Sequence, residues 1–402
     1  MNTHCRTSRF IAALSLGVSA IVVLPGSAGA VVSTTPTNPL VLSIPQPKAA
    51  WSLDRVPCGS RTCVQLDTST NQGTTWTAEH LPTSLESWLS AEASSGFAGD
   101  VQMHFSSALN GWIYGARRSA TSTTSELWAT TNGGHAWSQI ATTVRGMRSS
   151  VLAVGTYGNA VYVVAWRDGQ HFGLWRSPLM TTQWTRVDTP DLPVAAGGSM
   201  MVGSLTVVST NGWLTIGNDR GVTGAARLRT STEWVAMRPA CATVGNSYAA
   251  PVPVSASTLL AMCTIGGFGS HVDAGTPASL VLGTQWLYRS TDGGQHFVPL
   301  RLTGRSAQNQ LVGSSLAYGA HPAALFLTRS VNGATGAILQ RSTTMGAWWV
   351  TVAAQSSSSL TPQFTSLVLA QNFGGVIVQT SGSHATLWLT RDAGQHWFSV
   401  LG

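Results

Sequence analysis

Short apolar runs alternate with polar turns along most of the chain. The last stretch shows four such runs, at residues 366–370, 374–380, 385–390 and 396–400. The same order recurs near the start, at residues 102–105, 112–116, 127–130 and 137–140. Runs rich in Val, Leu, Trp and Tyr that are bounded by Gly and Asn predict β-strands joined by tight turns. We therefore expect an all-β chain built from repeated four-stranded antiparallel units.

A motif marks the turn between the third and fourth strands of these units. It reads Ser/Thr, any residue, Asp/Asn, any residue, Gly, two residues and an aromatic. Clear copies end at Trp76, Trp137, Phe297 and Trp397. A degenerate copy ends at Trp349. Two further copies, which end at Trp184 and Trp234, keep only the strand and the aromatic residue. A period of about 50 residues indicates propeller blades, so we predict a seven-bladed β-propeller.

Each part of this box has a role in folding. The Ser/Thr hydroxyl and the Asp/Asn side chain can bond turn amides, and the glycine can adopt the positive φ that the turn needs. The aromatic side chain buries a large area against the neighbouring blade. We therefore predict a structural role for the boxes, including Asp292 and Asp392, with their histidines on exposed turns. Arginines 176, 229, 289 and 341 recur just before the box Ser/Thr and indicate a repeated structural role.

The first 30 residues are typical of a secretory signal peptide. Arg6 and Arg9 precede the apolar run at residues 10–24, and Ala28-Gly29-Ala30 offers a cleavage site. An uncleaved anchor is the alternative, but about 15 apolar residues are fewer than the ~20 that span a bilayer. We expect a Pro/Thr-rich lead-in at 31–48, in which residues 40–44 can form a first strand, the propeller at 49–402, and no integral membrane span after cleavage.

Composition narrows the range of partners. Charged residues make up 9% of the chain and the formal net charge is +7. Cleavage removes Arg6 and Arg9 and no acid, which leaves +5. Nucleic-acid binding calls for a concentrated basic surface, so no nucleic-acid partner is expected.

Four cysteines remain in the exported chain, where disulfides are the default. Three pairings are open, and we favour Cys58 with Cys63 and Cys241 with Cys263 because each pair brackets a strand connection. A metal site is the alternative. The spacings do not match C-x2-C, so we predict structural disulfides and no metal.

The four clear boxes resemble those of the Asp-box (BNR repeat) β-propeller family, in the sialidase-like superfamily. That family includes sialidases, xyloglucan-active glycoside hydrolases, the sortilin ectodomain and photosystem II assembly factors. The resemblance therefore implies a fold more than a function. A single ring of seven blades is most similar to the assembly-factor propellers.

The longer loops fall on the face opposite the boxes. This face holds the turns between second and third strands and the connections between blades, and binding sites concentrate on such loops. A short helix is expected at 84–93, with Leu85, Trp88 and Leu89 on one side. An anion- or partner-binding surface is predicted there from Arg117, Arg118, Arg145, Arg148, Arg301 and Arg305. Scattered solvated charges are the alternative interpretation.

No catalytic pattern stands out. The Arg-Ile-Pro signature of sialidases, a G-x-S-x-G motif and an H-E-x-x-H motif are all absent. We expect no catalytic residue and no cofactor, and a secreted, monomeric module that binds or assembles a protein or a cell-surface glycan. The alternatives are a glycoside hydrolase of sialidase-like or xyloglucanase-like type, whose two carboxyl groups sequence cannot pair, and a structural or adhesive surface protein.

Overall fold

The structure of this chain is a computed structural model. It describes residues 33–400 with gaps at 96–100, 120, 143–145, 169–170, 180, 182, 191, 193–200, 209–210, 219–220, 231–232, 241–250, 265–284, 301–310, 313–315, 321–322, 332–335, 346–347, 357–362, 371 and 382–383. Within these residues, no helix has the length and apolar character that a membrane crossing requires.

Seven antiparallel sheets follow one another along the described chain. The first sheet contains β1 (Ser33–Thr34), β2 (Pro39–Gln46), β3 (Ala49–Cys58), β4 (Arg61–Ser69) and β5 (Trp76–Glu79), and helix α1 (Thr83–Ser95) follows it. The second contains β6 (Gln102–Phe105), β7 (Gly111–Arg118), β8 (Thr123–Thr130) and β9 (Ser138–Gln139). The third contains β10 (Arg148–Tyr157), β11 (Ala160–Asp168), β12 (His171–Pro178) and β13 (Thr185–Val187).

The second half of the chain repeats this meander. The fourth sheet contains β14 (Met201–Val208), β15 (Asn211–Asn218), β16 (Gly221–Leu228) and β17 (Trp234–Met237). The fifth contains β18 (Val252–Pro253), β19 (Leu259–Thr264), β20 (Gln285–Ser290) and β21 (Val298–Leu300). The sixth contains β22 (Leu311–Val312), β23 (Leu316–Ala320), β24 (Ala323–Val331), β25 (Gly336–Ser342) and β26 (Val350–Ser356). The seventh contains β27 (Gln363–Ala370), β28 (Phe373–Ser381), β29 (His384–Thr390) and β30 (Phe398–Val400). The prediction of an all-β propeller with four-stranded antiparallel blades is confirmed.

Aromatic side chains hold consecutive sheets together. Trp51 of the first sheet stacks on Phe105 of the second with ring centroids 4.0 Å apart, and its indole N–H donates to the carbonyl of Gly133 at 2.8 Å. Trp213 of the fourth sheet donates in the same way to the carbonyl of Gly293 at 3.1 Å. The core of the molecule is therefore a series of apolar layers between neighbouring sheets, which large rings fill efficiently.

The first and seventh sheets meet at a closing seam, but within the described residues they exchange no strand. β1 pairs with β5 of its own sheet. Leu42, Ile44 and Trp76 instead pack against Phe373 and Leu387. Hydrogen bonds between described residues cross the seam: the amide of Ala385 donates to Asn38 Oδ1 at 3.0 Å, and Arg391 Nε donates to the carbonyl of Gln72 at 2.9 Å.

β2 comes from residues 31–48, the predicted lead-in, and contains the first strand expected at residues 40–44. Its position next to β3 places the start of the first sheet ahead of residue 49. Val41, Leu42 and Ile44 are all buried, because neighbouring sheets cover both faces of this strand. A strand buried on both faces lacks the polar alternation that marks a half-exposed one.

The boxes use their polar groups within their own turns. The glycine amide donates to the Ser/Thr hydroxyl in each clear copy, at 2.8 to 3.0 Å, at Gly73, Gly134, Gly294 and Gly394. All four glycines have φ between +71° and +103°. Asp292 Oδ1 accepts from the amides of Gln295 and His296. These bonds agree with the structural role that the sequence indicated.

One of the four repeated arginines does not lie where the sequence predicted. Arg176, Arg289 and Arg341 each lie opposite a second-strand residue that faces the next sheet. In the fourth sheet Arg227, which pairs with Trp213, takes this position, whereas Arg229 lies beyond the strand and pairs with Glu233 at 3.5 Å. The fourth box lacks the Ser/Thr and glycine that would have fixed its register, so the sequence placed this arginine two residues too late.

Candidate binding face

Helix α1 lies against the first and second sheets, on the face opposite the boxes. Leu85, Trp88 and Leu89 are buried, as the sequence predicted for residues 84–93. Trp88 Nε1 donates to the carbonyl of Ala116 at 3.0 Å, and Ser90 Oγ accepts from the amide of Val64 at 3.2 Å. The helix therefore holds the β3–β4 and β7–β8 hairpins in fixed positions. We use the name insertion face for the surface that carries helix α1, the hairpins between the second and third strands of each sheet, and the connections between sheets.

A disulfide closes one hairpin of the insertion face. Cys58 and Cys63 are bonded across the β3–β4 turn, with their Cα atoms 5.8 Å apart, which confirms the first predicted pair. Cys241 lies outside the described residues and only the backbone of Cys263 is described. The second pair stays a prediction.

The predicted arginine surface is described only in part. Arg117 Nε contacts Glu126 Oε1 at 2.6 Å, and Glu126 also accepts hydrogen bonds from Trp128 and Gln139. The backbone amide of Arg118 donates to Glu92 at 2.9 Å. Arg145, Arg301 and Arg305 lie outside the described residues, and the Arg148 side chain is not described. Arg117 is thus already paired with an acid, and the joint anion site stays a prediction.

An open pocket lies on the insertion face between the third and fourth sheets, and no sequence motif pointed to it. Its volume is about 160 Å³. Its buried wall comes from Val164, Leu174, Leu192 and Leu214. His171, at the start of β12, and Arg186, on β13, also line it, and both are exposed. The lining residues come from the β11–β12 hairpin, from β13 and the residues after it, and from β15 of the fourth sheet. The pocket therefore depends on tertiary packing.

A pair of carboxyl groups lies inside the first sheet. Asp54 and Asp67, on the adjacent strands β3 and β4, are each 1% exposed. Burial raises the pKa of Asp54 to about 8, and the charge of neighbouring Asp67 acts in the same direction. Gln65 Nε2 donates to Asp67 Oδ1 at 2.8 Å. Asp54 also faces Ser52 and the backbone of Asn38, a residue of the closing seam.

The box histidines lie on exposed turns, as predicted. His296 Nδ1 contacts Asp292 at 2.6 Å, and His396 contacts Asp392 in the equivalent way. The hydrogen bond from the His296 backbone amide holds the pKa of Asp292 well below its usual range, and the hydrogen bond from the His296 ring has a smaller effect in the same direction. His135 instead reaches Glu79 of the first sheet at 2.6 Å. Among the described residues, no three His, Cys, Asp or Glu side chains are grouped as a metal site.

Comparisons with known proteins bear on the fold alone. The sequence matches no protein-family model, and no curated protein matches it. An ulvan lyase structure has 10% identity and a TM-score of 0.57 over 90% of this chain and 95% of that one. The β-propeller domain of the Trilobed protease from Pyrococcus furiosus, described as having an open velcro topology, has 7% identity and a TM-score of 0.52 over 92% and 98%.

A prolyl endopeptidase structure has 9% identity and a TM-score of 0.54 over 90% of this chain. This chain spans only about half of that one, 49% of its length. At such identities the shared feature is the β-propeller, and the chemistry of a site must be argued from this chain's own residues.

Proposed function

We propose that this protein is a secreted, non-catalytic propeller whose insertion face binds a protein or a cell-surface glycan. The observation that carries the proposal is that several ordered structural features lie together on that face. Helix α1, the Cys58–Cys63 hairpin, the Arg117–Glu126 pair and the open pocket all belong to it. Loops held by a rigid scaffold are where propellers and other β folds place their binding residues.

The buried carboxyl groups of the described part support binding over hydrolysis. Its four buried acids are Asp54, Asp67, Glu92 and Glu126. Glu126 and Glu92 bond the hairpin that carries Arg117 and Arg118. Asp54 and Asp67 face each other inside a sheet. Glycoside hydrolysis needs two carboxyl groups about 5 to 10 Å apart around a substrate, which a buried pair in contact does not provide.

The finer features of the protein belong to the same proposal. Each of the seven sheets is one blade of a single ring that closes at the seam between the first and seventh sheets. The four clear boxes make the chain a member of the Asp-box family. Residues 1–30 direct export and are removed, and the mature chain acts as a monomer.

A binding experiment on the mature chain, residues 31–402, tests the proposal. We expect a glycan array or a pull-down from cell-surface extract to give a partner above background. Arg145→Gln with Arg148→Gln should weaken that interaction, whereas Arg229→Gln on the box side should leave it unchanged. Background signal in both formats would remove the proposal. If Arg229→Gln weakened binding as much as the double variant does, the binding site could not be assigned to the insertion face.

A glycan-active enzyme is the second candidate, since one structural neighbour is a polysaccharide lyase. A panel of glycosides and polysaccharides with the same mature chain separates the two. Release of sugar products at a rate above that of a heat-treated sample would favour the enzyme.

A further inference from the structure

The pocket between the third and fourth sheets combines an apolar wall with a polar rim. Val164, Leu174 and Leu214 are at most 2% exposed and form the inner wall. Thr189, Arg186 and His171 line the pocket where it opens to solvent. No acidic residue of the described part lines it. Such a site favours a ligand with one apolar surface and one anionic group.

Arg186 is suited to hold the anion. Its side chain is exposed and makes no ion pair in the described structure, unlike Arg117, which is paired with Glu126. A guanidinium group binds a carboxylate or sulfate through two parallel hydrogen bonds. The hydroxyl of Thr189 can add a hydrogen bond to a neutral hydroxyl group.

The size of the pocket limits the ligand. A cavity of roughly 150 Å³ accommodates a six-membered ring, and the pocket here has about 160 Å³. A pyranose ring has C–H groups that can lie on the leucine wall and hydroxyl groups for the rim. An acidic sugar adds the anionic group that Arg186 would bind.

We infer that the pocket lined by Leu174, Leu214, Thr189 and Arg186 binds one acidic sugar residue. This inference rests on the proposed binding function and gives that function a ligand class. The ligand is either a free acidic monosaccharide or one unit of an acidic polysaccharide. Both present the same carboxylated or sulfated ring to the pocket.

Isothermal titration of the mature chain with galacturonate, a galacturonate tetramer and a galactose tetramer tests the inference. We expect the galacturonate tetramer to bind at least tenfold more tightly than the neutral tetramer. Arg186→Gln should weaken binding of the acidic probe at least tenfold, and Thr189→Trp, which fills the pocket, should do the same. Arg229→Gln changes the same charge on the box side and should alter the affinity less than twofold. All variants should melt within a few degrees of wild type, because the three positions are not buried.

Binding of the monomer as tightly as the tetramer would identify a free sugar as the ligand, and tetramer binding alone would identify a polysaccharide. The inference is overturned if neither acidic probe binds at millimolar concentration, if the neutral tetramer binds equally well, or if both pocket variants keep wild-type affinity. A chain that binds the acidic tetramer through other residues would lose this inference and keep the proposed function. Cleavage of the tetramer would remove the proposed function itself.

Discussion

Replacement of Asp54 by asparagine should change how stability depends on pH. Asp54 is 1% exposed and burial raises its pKa to about 8, from an ordinary value of 3.8. Between these values the folded protein holds a proton that the unfolded chain releases. The stability that this proton contributes is fully present below the unfolded pKa and is lost as the pH rises toward the folded pKa. An asparagine at this position has no such proton to lose, so the variant should gain relative to wild type as pH rises.

The magnitude follows from linkage. One proton bound only in the folded state changes the free energy of unfolding by about 1.4 kcal/mol per pH unit. Between pH 5 and pH 7 the wild type should therefore lose up to about 3 kcal/mol relative to Asp54→Asn. The groups that face Asp54 are Ser52, Asp67 and Asn38, and Gln65 holds Asp67. Asp67→Asn removes the other carboxyl of the pair and should shift the profile in the same direction.

Urea unfolding followed by tryptophan fluorescence at pH 5, 6 and 7 measures this difference. Asp188→Asn is a matched control because Asp188 is exposed. Its stability should stay parallel to that of wild type. A constant difference between Asp54→Asn and wild type over this range would refute the reasoning, since it would mean that Asp54 is ionised in the folded protein at pH 5.

Three further changes test the packing. Gly394→Ala should cost about 2 kcal/mol or more, because Gly394 has φ of +76° and a Cβ there would collide with the ring of Phe326 in the sixth sheet. Gly158 has a positive φ but open space around it, so Gly158→Ala should lower the free energy of unfolding by only about 1 kcal/mol. Thermal melts of the two glycine variants measure this difference. Trp51→Phe keeps a ring against Phe105 but removes the bond to Gly133, and urea unfolding should show a loss of about 1 kcal/mol. Trp348→Phe, at a position 64% exposed, should change little. Reduction of Cys58–Cys63, which are five residues apart, should lower the free energy of unfolding by about 2 kcal/mol, and a Cys58→Ser, Cys63→Ser variant should not respond to the reductant. Equal costs at Gly394 and Gly158, an unchanged Trp51→Phe, or a redox-sensitive double variant would each contradict the corresponding contact.

The sequence predicted the parts of the fold that are local. The box turns depend on residues within eight positions of one another, and Ser290, Asp292 and Gly294 form the bonds that the motif suggests. Helix α1 and the Cys58–Cys63 pair are also short-range features. The alternation of strands and turns was therefore enough to give the all-β propeller class.

The features that sequence missed depend on distant residues. The pocket joins Leu174 and Arg186 of the third sheet to Leu214 of the fourth. Asp54 and Asp67 gave no motif because their proximity comes from the pairing of β3 with β4, in which Asp67 lies opposite Ser52. The available signal was the pair of polar residues Ser52 and Asp54, which lie two positions apart on the same buried face of β3. The pairing of Arg117 with Glu126 likewise arises from strand register.

The central claim is that the insertion face binds a surface ligand without chemical turnover. Incubation of the mature chain with immobilised acidic polysaccharide, followed by assay of both bound protein and released sugar, tests it most directly. We predict retention of the wild-type chain, reduced retention of Arg186→Gln, and no released sugar above the level of a protein-free sample. Released sugar, or equal retention on acidic and neutral polysaccharide, would contradict the account.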